Sequence, residues 1–147
     1  PLQAALGADW QVGRQNVLGE WYTYLILAYG RSEQFRMTDE TAKTAAAGWA
    51  GDTYLYYAKD NAEDYLFAWR SLWENPQDAD EFYALSRDYG KARWGIPEED
   101  VKRRVSWTSN SDGKITMRQS GDSVLWLMST SAELNSSALN LLADFGK

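Results

Sequence analysis

The stretch Tyr65-Leu66-Phe67-Ala68-Trp69-Arg70-Ser71-Leu72-Trp73 constrains the fold more than any other part of this chain. Read with a period of two, one face carries Tyr65, Phe67, Trp69, Ser71 and Trp73, and the other carries Leu66, Ala68, Arg70 and Leu72. Apolar side chains on both faces predict a central strand with cover on each side. Thr53 to Ala58 is also rich in aromatic residues and lies across the polar segment Lys59 to Asp64. The two runs predict a hairpin.

Other elements follow from period and punctuation. In residues 14–29, Leu18, Trp21, Tyr22, Leu25, Ile26 and Tyr29 recur at three- and four-residue steps and predict a helix stopped by Gly30. Thr38 caps a second helix through Ala47, with Asp39 and Glu40 at its positive end, an Ala42-Ala45-Ala46 stripe and Gly48 beyond it. Asn75-Pro76 opens a third, expected to bury Ala79, Phe82 and Leu85 and to end near Tyr89 at Gly90. Residues 91–101 read as a loop. Val105–Thr108, Ile115–Arg118 and Val124–Met128 form a meander with turns at Asp112-Gly113 and Gly121-Asp122. Thr130-Ser131-Ala132-Glu133 has capping-box form and opens a last helix through Asp144, its stripe running Leu134, Ala138, Leu141, Leu142, Phe145. The order ααββαβββα predicts a single α+β domain over residues 1–147. Its sheet is five-stranded and mainly antiparallel, with four helices on one face.

Composition then narrows the chemistry. Eight Trp, nine Tyr and four Phe supply a core of large rings, and Trp21, Trp49, Trp69, Trp73 and Trp126 are expected inside it. The sharper alternative is that a few rings line a binding groove. The net charge is −6, and Lys102-Arg103-Arg104 is the only basic cluster, so no nucleic-acid partner is expected. Trp21–Tyr29 is the longest apolar run and falls short of the roughly 20 residues of a membrane span.

The chain has no Cys and no His. Zinc sites and Ser-His-Asp or Cys-His nucleophiles lose their essential groups, so neither a metal, a cofactor nor an enzyme activity is expected. Only carboxylate acid–base chemistry stays open, with Glu20, Asp52 and Glu74 in aromatic surroundings. Capping or ion pairing is the preferred reading of such residues. Asp60-Asn61-Ala62-Glu63-Asp64 and Ser109-Asn110-Ser111-Asp112-Gly113 group oxygen ligands, but neither has the twelve-residue calcium-loop pattern. Turn chemistry accounts for both. Arg70, mid-strand between Trp69 and Trp73, needs a partner. A structural pair with Glu20 or Asp52 is expected, against ligand binding by Arg70; Trp69 and Trp73 are further binding candidates.

Three segments taken together carry a resemblance: Leu18-Gly19-Glu20, then Ala46-Ala47-Gly48-Trp49-Ala50-Gly51-Asp52, then Trp69-Arg70-Ser71-Leu72-Trp73 with Asp78-Ala79-Asp80-Glu81-Phe82. The series resembles the C-terminal region of a family of secreted prokaryotic proteins related to zinc metallopeptidases. Thr53 stands where that pattern usually has Arg, and the histidines of the family's upstream H-E-x-x-H-type motif have no counterpart here. The resemblance implies a non-catalytic module, an extracellular or cell-envelope location, and an upstream peptidase-like segment as the partner. The start at Pro1 without a Met fits a piece of something longer. The alternative is an independent module whose aromatic groove binds carbohydrate or an extended peptide; no particular small ligand is singled out.

Overall fold

The computed structural model describes residue 4 and residues 6–30, 32–59 and 63–142. They form seven strands: β1 Trp10–Asn16, β2 Trp49–Lys59, β3 Tyr65–Trp73, β4 Glu99–Val101, β5 Arg104–Ser109, β6 Gly113–Ser120 and β7 Ser123–Ser129. The helices are α1 Gly19–Tyr29, α2 Asp39–Ala46, α3 Pro76–Trp94 and α4 Ala132–Leu141. All strands join one sheet in the order β1-β2-β3-β7-β6-β5-β4, and every neighbouring pair is antiparallel. The fold is α+β, and β3 lies inside the sheet between β2 and β7 as its two apolar faces require.

Two strands exceed the expected five. β1 exposes six of its seven residues, and its register breaks between Val12 and Arg14, so no alternation survives to be read. It also takes residues 14–16, which the periodicity had given to the first helix. β4 is three half-exposed or exposed residues at the opposite edge, inside the expected loop. Both are edge strands, where one flank of hydrogen bonds suffices and side chains need not be apolar.

The caps act as the residue types dictate. Thr38 Oγ1 accepts from Thr41 N–H at 3.2 Å, and Asn75 Oδ1 accepts from Gln77 and Asp78 N–H. Ser131, not Thr130, caps α4 by accepting from Leu134 N–H, so Glu133 falls one position short of a capping box. Gly90 does not end α3. A Cβ there would lie 2.6 Å from Trp107 Cη2, so this glycine lets the helix lie against the sheet. α3 runs on to Trp94 and stops at Gly95, whose φ of 83° suits glycine.

The helices do not share one face. α1, α2 and α3 cover the face made by Trp69, Trp73, Val124, Trp126, Ile115, Met117, Val105 and Trp107. α4 covers the other, packing Ala138 and Leu142 on Leu66, Ala68, Leu125 and Leu127. The expected contributions of Asp144 and Phe145 to this helix lie outside the described residues. α1 buries Thr23, Tyr24, Leu27 and Ala28, whereas Trp21, Tyr22 and Tyr29 face outward and Ile26 lies at the margin. Trp21, expected in the core, is 66% exposed, and Trp49 is half-buried; Trp69, Trp73 and Trp126 are core residues as expected.

Candidate functional site

Asp52 joins the first two segments that carry the sequence resemblance. Its two carboxylate oxygens accept from Leu18 N–H (2.7 Å), Gly19 N–H (2.8 Å) and the Trp49 indole (3.0 Å). It thereby pins the first turn of α1 to β2, and Gly19 enters that turn at φ 84°. Gly48, with φ 78°, comes so close to Asp78 that a Cβ would collide with the carboxylate, which brings the third segment to the same corner. The motif is an architectural joint. Glu20 is exposed beside Trp21, Tyr24 and Lys43, and Glu74 is exposed on the loop before α3.

Arg70 lies elsewhere. Thr53 is its register partner on β2 and Leu125 on β7, which sets its side chain on the α4 face. Asp52 pairs with Ser71 and so faces the other way, toward α1. The expected pairing of Arg70 with Glu20 or Asp52 is therefore wrong, because alternation puts the groups on opposite sides of the sheet. Arg70 is 7% exposed, and its Nε and Nη2 both donate to Ser123 Oγ.

Under α1 and α3 there is a cavity of about 100 Å³. Its sheet side is Phe67 and Trp69 from β3 with Trp126 and Met128 from β7. α1 supplies Thr23, Ile26 and Leu27, and α3 supplies Phe82, Tyr89, Arg93 and Trp94. The rings interlock. Trp69 meets Phe82 edge-on at 5.7 Å and lies 6.2 Å from Trp126, which in turn meets Trp94 edge-on at 6.1 Å. Such contacts rigidify the wall as well as burying area.

At one side Arg93 donates to Tyr89 Oη (3.2 Å) and Asp112 Oδ2 (2.9 Å) and lies 5.0 Å over the Trp94 ring. The Trp94 indole also donates to Asp112, at 2.8 Å. The Asp112-Gly113 turn, one of the two candidate calcium loops, thus holds α3 to the β5–β6 hairpin. Of the other candidate loop, Asp60, Asn61 and Ala62 lie outside the described residues.

The indole N–H groups sort this region. Trp49 donates to Asp52, Trp73 to Ser71 Oγ, Trp94 to Asp112 and Trp107 to Gly95 O. Trp69 and Trp126, 5% and 7% exposed and both lining the cavity, have no acceptor for theirs. A buried donor without an acceptor costs about 1–3 kcal/mol. Both belong to residues of one cavity wall.

Of the candidates read from the sequence, Trp69 alone lines this cavity. Trp73 packs behind it, stacked on Phe82 at 4.5 Å. Trp126 was recognised only as core. Arg93 and Trp94 carry no sequence signal, because they follow Gly90 in what reads as a loop.

The model of the domain of unknown function DUF8575 matches residues 10–138. The chain belongs to this family. The matched span of the DUF8575 domain includes all seven strands and every residue of the cavity wall. No curated protein matches the DUF8575 chain. Among solved structures, it is similar in fold to the extracellular domain of PknH from Mycobacterium tuberculosis. The TM-score is 0.61 and the identity 10%, over 97% of this chain and 90% of that one. None of these matches names a peptidase.

Proposed function

We propose that this DUF8575 domain is a non-catalytic binding module of a protein acting outside the cytoplasm. Its ligand is a small molecule with a flat apolar ring and a hydrogen-bond acceptor, held in the cavity between α1, α3 and the sheet. The observation that carries the reading is the pair of acceptor-less indole donors, Trp69 and Trp126, on one aromatic wall. An apolar concavity with few, convergent polar groups is the usual form of a small-molecule site.

The likeness to an extracellular domain supports the location, in line with the secreted family of the sequence resemblance. A binding module is also what an upstream peptidase-like segment would carry beside it. Of the two ligand sizes raised from sequence, one ring suits a cavity of about 100 Å³ better than an extended peptide, and the apolar lining suits a flat ring better than a hydroxylated sugar. For catalysis the carboxylates are badly placed. Asp52 holds three donors, and Glu20 and Glu74 are exposed outside the cavity.

Acetophenone and ethylbenzene test the reading, since they share ring and length and differ in the acceptor. In titrations followed by ¹⁵N–¹H spectra of the indole groups, acetophenone should move the Trp69 and Trp126 signals saturably and downfield. Ethylbenzene should bind more weakly and leave them upfield. If both signals stay still with both compounds, the cavity is packing space and the proposal fails.

A further inference from the structure

Every other Trp of the chain is buried or half-buried, but Trp21 is 66% exposed. Large rings are normally drawn inside, so its place on the surface asks for a reason. Trp21 forms one wall of an open groove of about 290 Å³ between α1 and α2. Among the described residues, Glu20 and Tyr24 of α1 and Lys43 and Ala46 of α2 complete its lining. The groove shares none of these residues with the aromatic cavity on the inner side of α1.

The ring is braced from behind. Tyr24 lies 5.2 Å from it, tilted by 33°, and meets Tyr29 edge-on at 5.9 Å. Tyr24 Oη donates to Asp39, and Lys43 Nζ reaches the same carboxylate at 2.6 Å. A ligand stacking on Trp21 therefore meets a wall that is already ordered, which limits the entropy lost on binding. The polar rim then selects the ligand. Glu20 is exposed and makes no ion pair or hydrogen bond with any described residue, so its oxygens are free to accept. Lys43 uses one of three N–H bonds on Asp39 and keeps the others to donate. An anion in the groove lies against Glu20, and a cation lies against Lys43, because Lys43 and not Asp39 lines it. A wholly apolar ligand takes water from both charges and returns no hydrogen bond. A neutral ring with an apolar face and hydroxyls around its edge meets none of these objections.

From this geometry we infer a carbohydrate-binding groove between α1 and α2, in which Trp21 is the platform for one neutral pyranose ring of a glycan. The sugar's hydroxyls donate to Glu20 and accept from Lys43, both as charge-assisted hydrogen bonds. Sugars with all hydroxyls equatorial fit best, because both ring faces then carry only C–H bonds and can lie flat. Those C–H bonds are slightly positive and complement the negative face of the indole. The groove is independent of the aromatic cavity and stands or falls without it.

The test uses the full chain and cellohexaose, a neutral β-linked glucan whose hydroxyls are all equatorial, followed by ¹⁵N–¹H spectra of the indole groups. The Trp21 signal should move saturably with a Kd of about 1 mM or tighter, while Trp69 and Trp126 stay still. Trp21→Ala should weaken binding by about tenfold or more, and Glu20→Gln by a smaller factor, since an amide oxygen still accepts. Both side chains are exposed, so neither variant should lower the melting temperature by more than a surface substitution does. At matched ionic strength, β-linked hexamers of glucuronic acid and of glucosamine should both bind more weakly than cellohexaose. A Trp21 signal unmoved by cellohexaose overturns the groove as a sugar site. Tighter binding of the glucosamine hexamer overturns it too, by making Glu20 the anchor of a cation site. Cellohexaose binding that survives Trp21→Ala does the same, by placing the sugar elsewhere.

Discussion

The two faces of the sheet come from the same strands but are finished by different chemistry. Along β3, Phe67, Trp69 and Trp73 alternate with Leu66, Ala68 and Arg70, so a single step of the chain separates an aromatic layer from an aliphatic and cationic one. Three helices close over the aromatic face, and their rings leave a cavity with two unsatisfied donors. One helix with small apolar contacts, Ala138 and Leu142, closes over the other, where Arg70 is fixed by a serine from the next strand. Rings are stiff and large, so imperfect fit among them leaves space; short aliphatics close up and leave the long polar side chains to fill the margin. The same sheet therefore presents an apolar cavity on one side and a polar margin on the other.

The comparison breaks first if the aromatic face is not the main source of stability. Phe82 is 1% exposed and touches both Trp73 and Trp69. Phe82→Ala should cost about 3–5 kcal/mol, read as a loss of urea-unfolding free energy. A cost below about 1 kcal/mol would mean that the rings around the cavity collapse freely, and that the wall is not rigid.

The joint between β2 and α1 ranks next. Asp52→Ala leaves the N–H groups of Leu18 and Gly19 and the Trp49 indole without their acceptor. Hydrogen bonds to a charged group are worth about 1.5–3 kcal/mol, so a loss of about that size is expected in the same measurement, with Asp52→Asn milder. If Asp52→Ala is neutral, the orientation of α1 is set by packing on α2 alone.

That orientation shows where sequence reading stops. The α2 cap, the Asn75-Pro76 start, the β2–β3 hairpin and the β5–β6–β7 meander were legible because each rests on local chemistry: a cap oxygen, a proline, a period of two, a glycine turn. α1 was legible as a helix but not as an orientation. Thr23, Tyr24, Leu27 and Ala28 have the same spacing as Trp21, Tyr22, Leu25 and Ile26, so periodicity admits either face inward. The choice falls to two distant contacts, Asp52 with the first turn and Tyr24 Oη with Asp39. Gly90 misled for a related reason, since a close approach to Trp107 and a helix stop both ask for glycine. The cavity combines both failures. Half of its α3 wall, Arg93 and Trp94, lies beyond Gly90 and its α1 wall depends on the rotation, so of the site candidates only Trp69 lines it.

Alkali should distinguish the faces by a smaller effect. Burial pushes Tyr83, on the α3 side, up to about 12 from the usual 10. Its folded-state value is raised, so the neutral phenol's contribution is intact below pH 10 and is lost as pH rises from about 10 to about 12. Melting temperatures should fall over that window, and Tyr83→Phe should flatten the fall. Tyr57, on the α4 side, is also raised by burial, so Tyr57→Phe provides the control from the opposite face. If it flattens the curve as much as Tyr83→Phe does, the two faces contribute alike and the contrast disappears.

The smallest effect expected comes from Trp21, and it decides which aromatic surface matters. Trp21 is 66% exposed on α1, touching Tyr24 at a ring separation of 5.2 Å, and it shares the outward side with Tyr22 and Tyr29. Surface substitutions of this kind stay within about 0.5 kcal/mol, and alanine is the better helix former, so Trp21→Ala should leave the unfolding free energy nearly unchanged. It should leave acetophenone binding unchanged as well, because Trp21 does not line the cavity. Trp126→Phe should behave oppositely: the ring and its packing largely remain, the N–H donor is lost, and the preference for acetophenone over ethylbenzene should shrink. An exposed ring acts as a platform through its face, whereas a buried indole acts through its single donor, so the two substitutions separate these modes. Should Trp21→Ala abolish binding while Trp126→Phe spares it, the ligand sits on the outer stripe of α1 and the two orphaned donors are only a cost of packing.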